Sequence, residues 1–420
     1  MNPPRTNLTA REAALEIVGA VRRQPALRIP LDDALGLVLA EPIVSPLDIP
    51  PHTNSAMDGY AVRAADVRGA SAAAPVRLTV VEQIAAGQVP LRTIGAGECA
   101  RIFTGAPLPP GADSVIRQED TVLGSRVVSI TRDRDIGVNW RAAGEDIKRG
   151  ETVLEAGTEL EAAQLGVLAS LAVAHPLVYR RPRVGILGSG NEIVDLDQAE
   201  AILDGSRIGS SNTHALAALV HRAGGQPVNL GIAADSPESL REHLEAARDC
   251  DLLVTTAGIS VGEHDFLREV IESMGGALSF WRIRIRPGAP VAFGRLGATP
   301  WIGLPGNPVS TMVTFELLVG PAIRVMSGRS LPFRRAVPVT LAEPVSVIPK
   351  LQHFLRTIVS ETAGRRSATL TGPQGSGILT SMVKANALLV LPEGQFDTPA
   401  GAEVQAIVLN DPAFQREPAF

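Results

Sequence analysis

The chain has 420 residues, enough for roughly two to four domains. Its composition, 45% apolar and 20% charged, supports ordinary buried cores and excludes a disordered chain. A formal net charge of -5 argues against a general nucleic-acid binder, so an anionic substrate must meet a local basic patch.

The N-terminus has no basic start followed by an apolar run, so no signal peptide is expected. Thr9 and Glu12 make a capping-box pattern, and Leu15, Ile17, Val18 and Val21 supply the apolar positions of a first helix. A second short helical pattern runs through 31–40 and stops before Pro42. From Ile49 to about Asn139 the chain is rich in Gly, Pro and short apolar runs; 76–84, 98–103, 113–120 and 126–132 read as strands. Helical patterning resumes near 161–171. The longest apolar stretch, Leu165 to Ala174, is too short to span a bilayer.

From Pro182 to about Gly328, strands alternate with helices, which predicts a doubly wound, mostly parallel α/β sheet. From Leu331 to Leu409 short strands return, predicting a small C-terminal β domain. The predicted fold class is therefore α/β multidomain. A helical N-terminal and linker domain takes 1–49 and 144–177, an inserted β domain 50–143, the α/β domain 178–329 and the C-terminal β domain 330–420. The two cysteines, Cys99 and Cys250, are far apart and form no CxxC or Cys/His cluster. A disulfide framework and a structural zinc site are thus unsupported, and a reducing compartment suits them.

Ligands of open α/β sheets bind beyond the carboxyl ends of the strands. Three loops fall at such ends: 188–192, 257–265 and 304–308. Their glycines and following helices suit an anion, and each reads equally as a tight turn. Glu192, Asp235 and Asp265 follow these strands and could serve Mg²⁺, while Asp235 and Asp265 read equally as helix caps. In 281–287, alternation places Arg282, Arg284 and Arg286 on one strand face and Ile283 and Ile285 on the other. That face is either a solvated edge or an oxyanion partner. The stretches 54–60, 104–107 and 372–377 are polar and turn-rich. No GxSxG elbow, HExxH helix or Walker-type loop occurs, and the histidines are scattered.

Six ordered motifs go further: PPHTNSAMDGYAVR, RIFTGAPLPPGADSVIRQED, NWRAAGEDIKRG, TTAGISVGEHDF, RIRPGAPVAFG and WIGLPGNPVSTMVTFELLV. With them the chain, from about Leu8 to Ala406, resembles the molybdopterin molybdenumtransferase family, called MoeA in bacteria, and the related domain of gephyrin. The resemblance implies a molybdopterin-binding α/β domain within a four-part architecture. It also implies a cytoplasmic homodimer whose cleft is completed by both subunits. The implied reaction takes adenylyl-molybdopterin and molybdate, releases AMP and leaves molybdenum on the dithiolene, with Mg²⁺ as cofactor. The pathway's adenylyltransferase and molybdoenzymes are implied partners; nucleic acid and membrane are not.

Asp58, Thr104, Asp146, Glu192, Asp235 and Asp265 stand at the family's catalytic positions, the last three as the implied Mg²⁺ ligands. Gly258, Ser260, Gly262, Arg282, Arg286, Pro305, Asn307, Pro308, Ser310, Arg356 and Ser376 stand at implied substrate and molybdate positions. Three residues depart from the common pattern: arginine for lysine at 282 and 286, Ala257 for a frequent glycine, and Asn191 for a common aspartate. Two other readings compete. One is the molybdopterin adenylyltransferase, which lacks the β insertion and C-terminal β domain. The other is a non-catalytic molybdopterin-binding or scaffold protein.

Overall fold

The computed structural model describes residues 4–124, 126–257, 266–411 and 413–420. The chain divides into two compact units, one of Met1–Glu41, Gly157–Leu165 and Ala174–Phe420, the other of Pro42–Ala156 and Gly166–Val173.

Strand β1 (Arg5–Leu8) and helix α1 (Ala10–Ala20) open the first unit. The capping box forms: the Thr9 hydroxyl accepts the Glu12 N–H at 3.1 Å, and the Glu12 carboxylate accepts the Thr9 N–H at 2.8 Å. This segment does not build a separate helical domain, as the sequence suggested. Its small buried face of Ala10, Ala13, Ala14 and Ile17 packs into the core of the α/β domain. The helix expected over 31–40 is absent. Pro30 precedes a short 3-10 turn, Leu31–Asp33, and Gly36 then takes a left-handed φ of 71°, so the chain leaves helical geometry and enters a short strand at Val38–Leu39.

The second unit is built on a six-stranded sheet: β2 (Gly59–Val62), β3 (Val76–Ile84), β4 (Glu98–Ile102), β5 (Ser114–Arg117), β6 (Thr121–Leu123) and β7 (Val127–Ile130), in the order β6-β7-β3-β4-β2-β5. One face buries Tyr60, Val62, Leu78, Ile116 and Val128. Gly59, the glycine of the MDGY motif, is required by this pairing. A Cβ there would lie 2.1 Å from the Ile116 carbonyl oxygen.

The rest of the first unit begins with β8 (Arg183–Ser189), α2 (Ser211–Ala223), β9 (Gln226–Ala233), α3 (Pro237–Glu245), β10 (Leu252–Thr256) and α4 (Phe266–Ser273). It continues through β11 (Ala277–Ile283), β12 (Ile285–Arg286), β13 (Ala292–Leu296), β14 (Thr299–Leu304), α5 (Pro308–Thr314) and α6 (Gly320–Met326). One seven-stranded sheet runs β1-β11-β13-β14-β10-β8-β9. Strands β14, β10, β8 and β9 are parallel, and β13 is antiparallel to both neighbours. Strand β10 is buried at every position, as a strand covered on both faces must be. The run Pro308–Met326 is long and apolar enough to cross a membrane, but 83% of its most apolar window is buried in the protein, as a core helix would be.

The C-terminal domain comprises β15 (Ala336–Leu341), β16 (Gln352–Thr362), β17 (Arg365–Leu370), β18 (Ala387–Leu391) and β19 (Glu403–Val408). These run β16-β17-β15-β19-β18, and β18 pairs back onto β16, so the sheet closes on itself. Strand β12 pairs with the start of β16, Ile285 opposite Gln352 and Arg286 opposite His353. The arginine-rich segment therefore passes from the α/β sheet to the C-terminal sheet.

Candidate active site

The connection from β8 places β9 on one side, whereas β10 and β14 lie on the other. That divergence is where an open α/β sheet leaves a crevice at its carboxyl edge. A cleft of about 610 Å³ lies there, lined by Ser189, Glu192, Ser211, Asn212, Ala257, Pro305, Gly306, Asn307 and Pro308 among others. Helix α2 begins in its wall at Ser211. The Ser210 hydroxyl is engaged by the Thr213 hydroxyl at 2.8 Å, so it does not cap the first turn of α2. Asn307 likewise makes no side-chain cap for α5.

The loop after β14 is held by its carbonyls. The Thr311 hydroxyl donates to the Pro305 carbonyl at 2.6 Å, the Thr256 hydroxyl to the same oxygen at 3.3 Å, and the Asn212 amide to the Gly306 carbonyl at 2.7 Å. The Gly306 and Asn307 N–H groups have no protein partner among the described residues. Free N–H groups beside helix starts suit an anion. Ala257 has a left-handed φ of 72°, a conformation that favours glycine. Its Cβ stands against Gly306, where an added Cβ would meet it at 3.2 Å.

Glu192 is exposed on the cleft wall. Asp235 is not the cap of α3: Ser236 is, accepting the Ser239 N–H at 3.2 Å. The Asp235 carboxylate instead accepts the Asn191 N–H at 3.2 Å, and its own N–H donates to the Asn191 side-chain oxygen at 3.1 Å. This reciprocal pair ties the loops after β8 and β9. Gly258, Ser260, Gly262 and Asp265 lie outside the described residues. Among the described residues no cluster of three or more His, Cys, Asp or Glu side chains forms a metal cage. Mg²⁺ needs only one or two carboxylates beside phosphate oxygens and water, and Glu192 offers one in the cleft.

The basic segment divides three ways. Ile283 and Ile285 are buried, as alternation requires. Arg282 is exposed, with a left-handed φ of 65° and its guanidinium carbon 5.3 Å from the Trp281 ring centroid. Arg284 donates to Glu393 at 2.8 Å and to the Asn7 carbonyl at 2.6 Å, which commits it to structure. Arg286 lines a second cleft of about 550 Å³ with His353, Arg356, Gln374 and Gly375. Arg282 lines neither cleft, so the expected single row of arginines is not formed.

Arg356 is fully buried. Its Nε donates to Ser381 at 3.1 Å and one Nη to the Gly375 carbonyl at 3.0 Å, while the other, Nη1, has no partner. Burial pushes its pKa down to about 10, which leaves it a cation at neutral pH. A buried cationic donor without an acceptor is costly, and an oxyanion is its chemical complement. The Ser376 carbonyl accepts the Val309 N–H at 3.1 Å, fixing the 374–377 loop to the start of α5. Gly377 lines the first cleft and Gly375 the second, so this loop forms part of both walls. Ser310 is buried within α5, and its carbonyl accepts the Thr314 hydroxyl at 2.7 Å; it lines neither cleft.

In the second unit, Asp58 and Thr104 meet directly. The Thr104 N–H and hydroxyl donate to one Asp58 oxygen at 2.8 and 2.9 Å, and these bonds hold the carboxyl below its ordinary pKa. Arg101 lies 5.0 Å from both the Tyr60 and Phe103 ring centroids and adds to the depression. Asp146 is exposed on another loop, where its N–H donates to the Ile49 carbonyl at 3.0 Å. Sequence reasoning missed Asn212, Thr256 and Thr311. The polar run Ser210-Ser211-Asn212-Thr213 at the start of α2 was the available signal.

Comparison with known proteins covers nearly the whole chain. Residues 8–172 match the family model described as the MoeA N-terminal region (domain I and II), 185–325 the probable molybdopterin binding domain, and 338–409 the MoeA C-terminal region (domain IV). The chain is similar to a molybdopterin molybdenumtransferase of Nostoc sp., 36% identical over 382 residues, covering 90% of this chain and 87% of that protein. It is also similar to molybdopterin molybdenumtransferase 2 of Mycobacterium tuberculosis, 36% identical over 385 residues, covering 90% and 94%. A crystal structure of the molybdopterin biosynthesis moeA protein from Pyrococcus horikoshii superposes with a TM-score of 0.78 at 30% identity, covering 96% of this chain and 100% of that one.

Proposed function

The chain belongs to the molybdopterin molybdenumtransferase (MoeA) family, enzymes of molybdenum-cofactor biosynthesis, and from that premise we propose that it takes adenylyl-molybdopterin and molybdate and releases AMP. The observation that carries this reading is Arg356. Its Nη1 is buried without a partner, and Arg356 as a residue lines the cleft that Arg286 also lines. Molybdate is a tetrahedral dianion, and two guanidinium groups supply the donors and charge it needs.

The first cleft takes the adenylyl phosphate in this reading. The Gly306 and Asn307 N–H groups and the start of α2 face a developing or resident negative charge without reorganising. The 374–377 loop lines both clefts, which keeps the two anions close and makes transfer between them effectively intramolecular. Water cleaves the adenylyl bond and AMP leaves, while the two dithiolene sulfurs bind molybdenum and displace one molybdate oxygen, which departs as water with the two thiol protons.

Mg²⁺, when bound, neutralises phosphate charge and polarises the adenylyl bond. Glu192 is the described carboxylate suited to hold it, and Asp265, which lies outside the described residues, is the further ligand that this reading takes from the family motif. Asp235 serves through Asn191 by fixing the loop that carries Glu192. A homodimer completes the site in this reading, and a cytoplasmic setting suits two buried free thiols, of which Cys99 is pushed up to about 12 by burial.

Equilibrium binding of molybdate tests the assignment. Wild-type protein should bind molybdate, and Arg356→Gln should lose about tenfold or more in affinity, since one charge-assisted contact is worth about 1.5–3 kcal/mol. Unchanged binding by Arg356→Gln would remove the second cleft from the mechanism.

A further inference from the structure

We infer that Asn212 is a positioning residue that fixes the direction of two successive peptide groups in the loop after β14. The inference rests on the reading that the first cleft takes the adenylyl phosphate. The peptide bonds of this loop are trans, so each carbonyl points opposite to the N–H of the next residue. The Gly306 carbonyl and the Asn307 N–H share one peptide group. The Asn212 amide donates to that carbonyl at 2.7 Å and thereby sets the direction of the Asn307 N–H. The orientation of the amide is not ambiguous, because a carbonyl only accepts and the NH₂ must face it.

The same NH₂ donates to the Thr256 hydroxyl at 2.9 Å, and that hydroxyl donates to the Pro305 carbonyl at 3.3 Å. The Pro305 carbonyl shares its peptide group with the Gly306 N–H. Asn212 therefore sets one peptide directly and the next through Thr256, with Thr311 as a second hold on Pro305. Both oriented N–H groups lack a protein partner among the described residues. Asn212 comes from the start of α2, on the far side of the crevice in sequence, so it also joins the two walls that carry the anion donors.

The test compares AMP with adenosine, so that the phosphate-dependent part of binding is read separately. Wild type should bind AMP more tightly than adenosine. Asn212→Ala should weaken AMP tenfold or more, change adenosine less than twofold, and keep its thermal midpoint. Asn212→Asp, which puts an oxygen against the Gly306 carbonyl, should fall at least as far. Thr256→Ser should retain the wild-type AMP to adenosine ratio and Thr256→Val should lower it. A wild-type ratio in both Asn212 variants, or equal weakening of AMP and adenosine, overturns the inference alone. Wild-type protein that does not distinguish AMP from adenosine overturns the reading of the cleft, and the inference with it.

Discussion

At the scale of single residues, the chemistry is set by which polar groups the fold leaves unpaired. Arg356 keeps one guanidinium nitrogen without a partner, whereas Arg284, two positions from Arg286, is spent on Glu393 and Asn7. The alternation of Arg and Ile over 281–287 was legible, since it follows from strand geometry. The separate fates of the three arginines were not, because Glu393 lies 109 positions away and the strand turns left-handed at Arg282. Asn212 was equally hidden: its partners lie 44 and 94 positions away, and locally it reads as part of a cap. Asp58 was visible in its motif, and its contact with Thr104 makes a definite pH statement. The folded pKa lies below the unfolded value of about 3.9, so the contact stabilises the fold above that value and loses its contribution as pH falls through the folded pKa. Thr104→Val removes the hydroxyl bond but keeps the backbone one. The Asp58 carboxyl should then titrate at higher pH, closer to the ordinary value, when followed by NMR.

Among elements, the apolar runs that became strands were readable because a parallel strand buried on both faces needs an uninterrupted run. The segment 31–40 was misread because its apolar spacing mimics a helix, while Pro30 and Gly36 direct it elsewhere. The helical run from Pro308 to Met326 holds a feature that apolar periodicity does not announce. It widens into a π turn at Phe315–Val319, just before Pro321, which has no N–H for the Leu317 carbonyl. Glu316 within that turn is buried and accepts from Arg334 at 2.6 Å and from Arg222. Glu316→Gln should destabilise the protein by about 3 kcal/mol in urea unfolding, because it leaves the nearly buried Arg334 without its counter-charge. A change under about 0.5 kcal/mol would mean that water or another group satisfies the arginines.

For the whole molecule, the α/β fold class with its β-rich segments was legible from the change between short strands and alternating strands and helices. The role of the N-terminus was not. Its strand joins the α/β sheet beside β11, a partner more than 270 positions away, and local patterning is silent on such a pairing. The closure of the C-terminal sheet and the transfer of β12 onto it are equally non-local. These features place Arg286, Arg356, Gln374 and Gly375 in the wall of the second cleft, while Gly377 lines the first. The central claim is that molybdate is inserted as AMP leaves. It is tested most directly by incubating the protein with adenylyl-molybdopterin and Mg²⁺, with and without molybdate, while following AMP and pterin-bound molybdenum together. The expected result is molybdate-dependent AMP release with molybdenum appearing in the pterin in equal amount. AMP release that ignores molybdate, with no molybdenum incorporated, would contradict it.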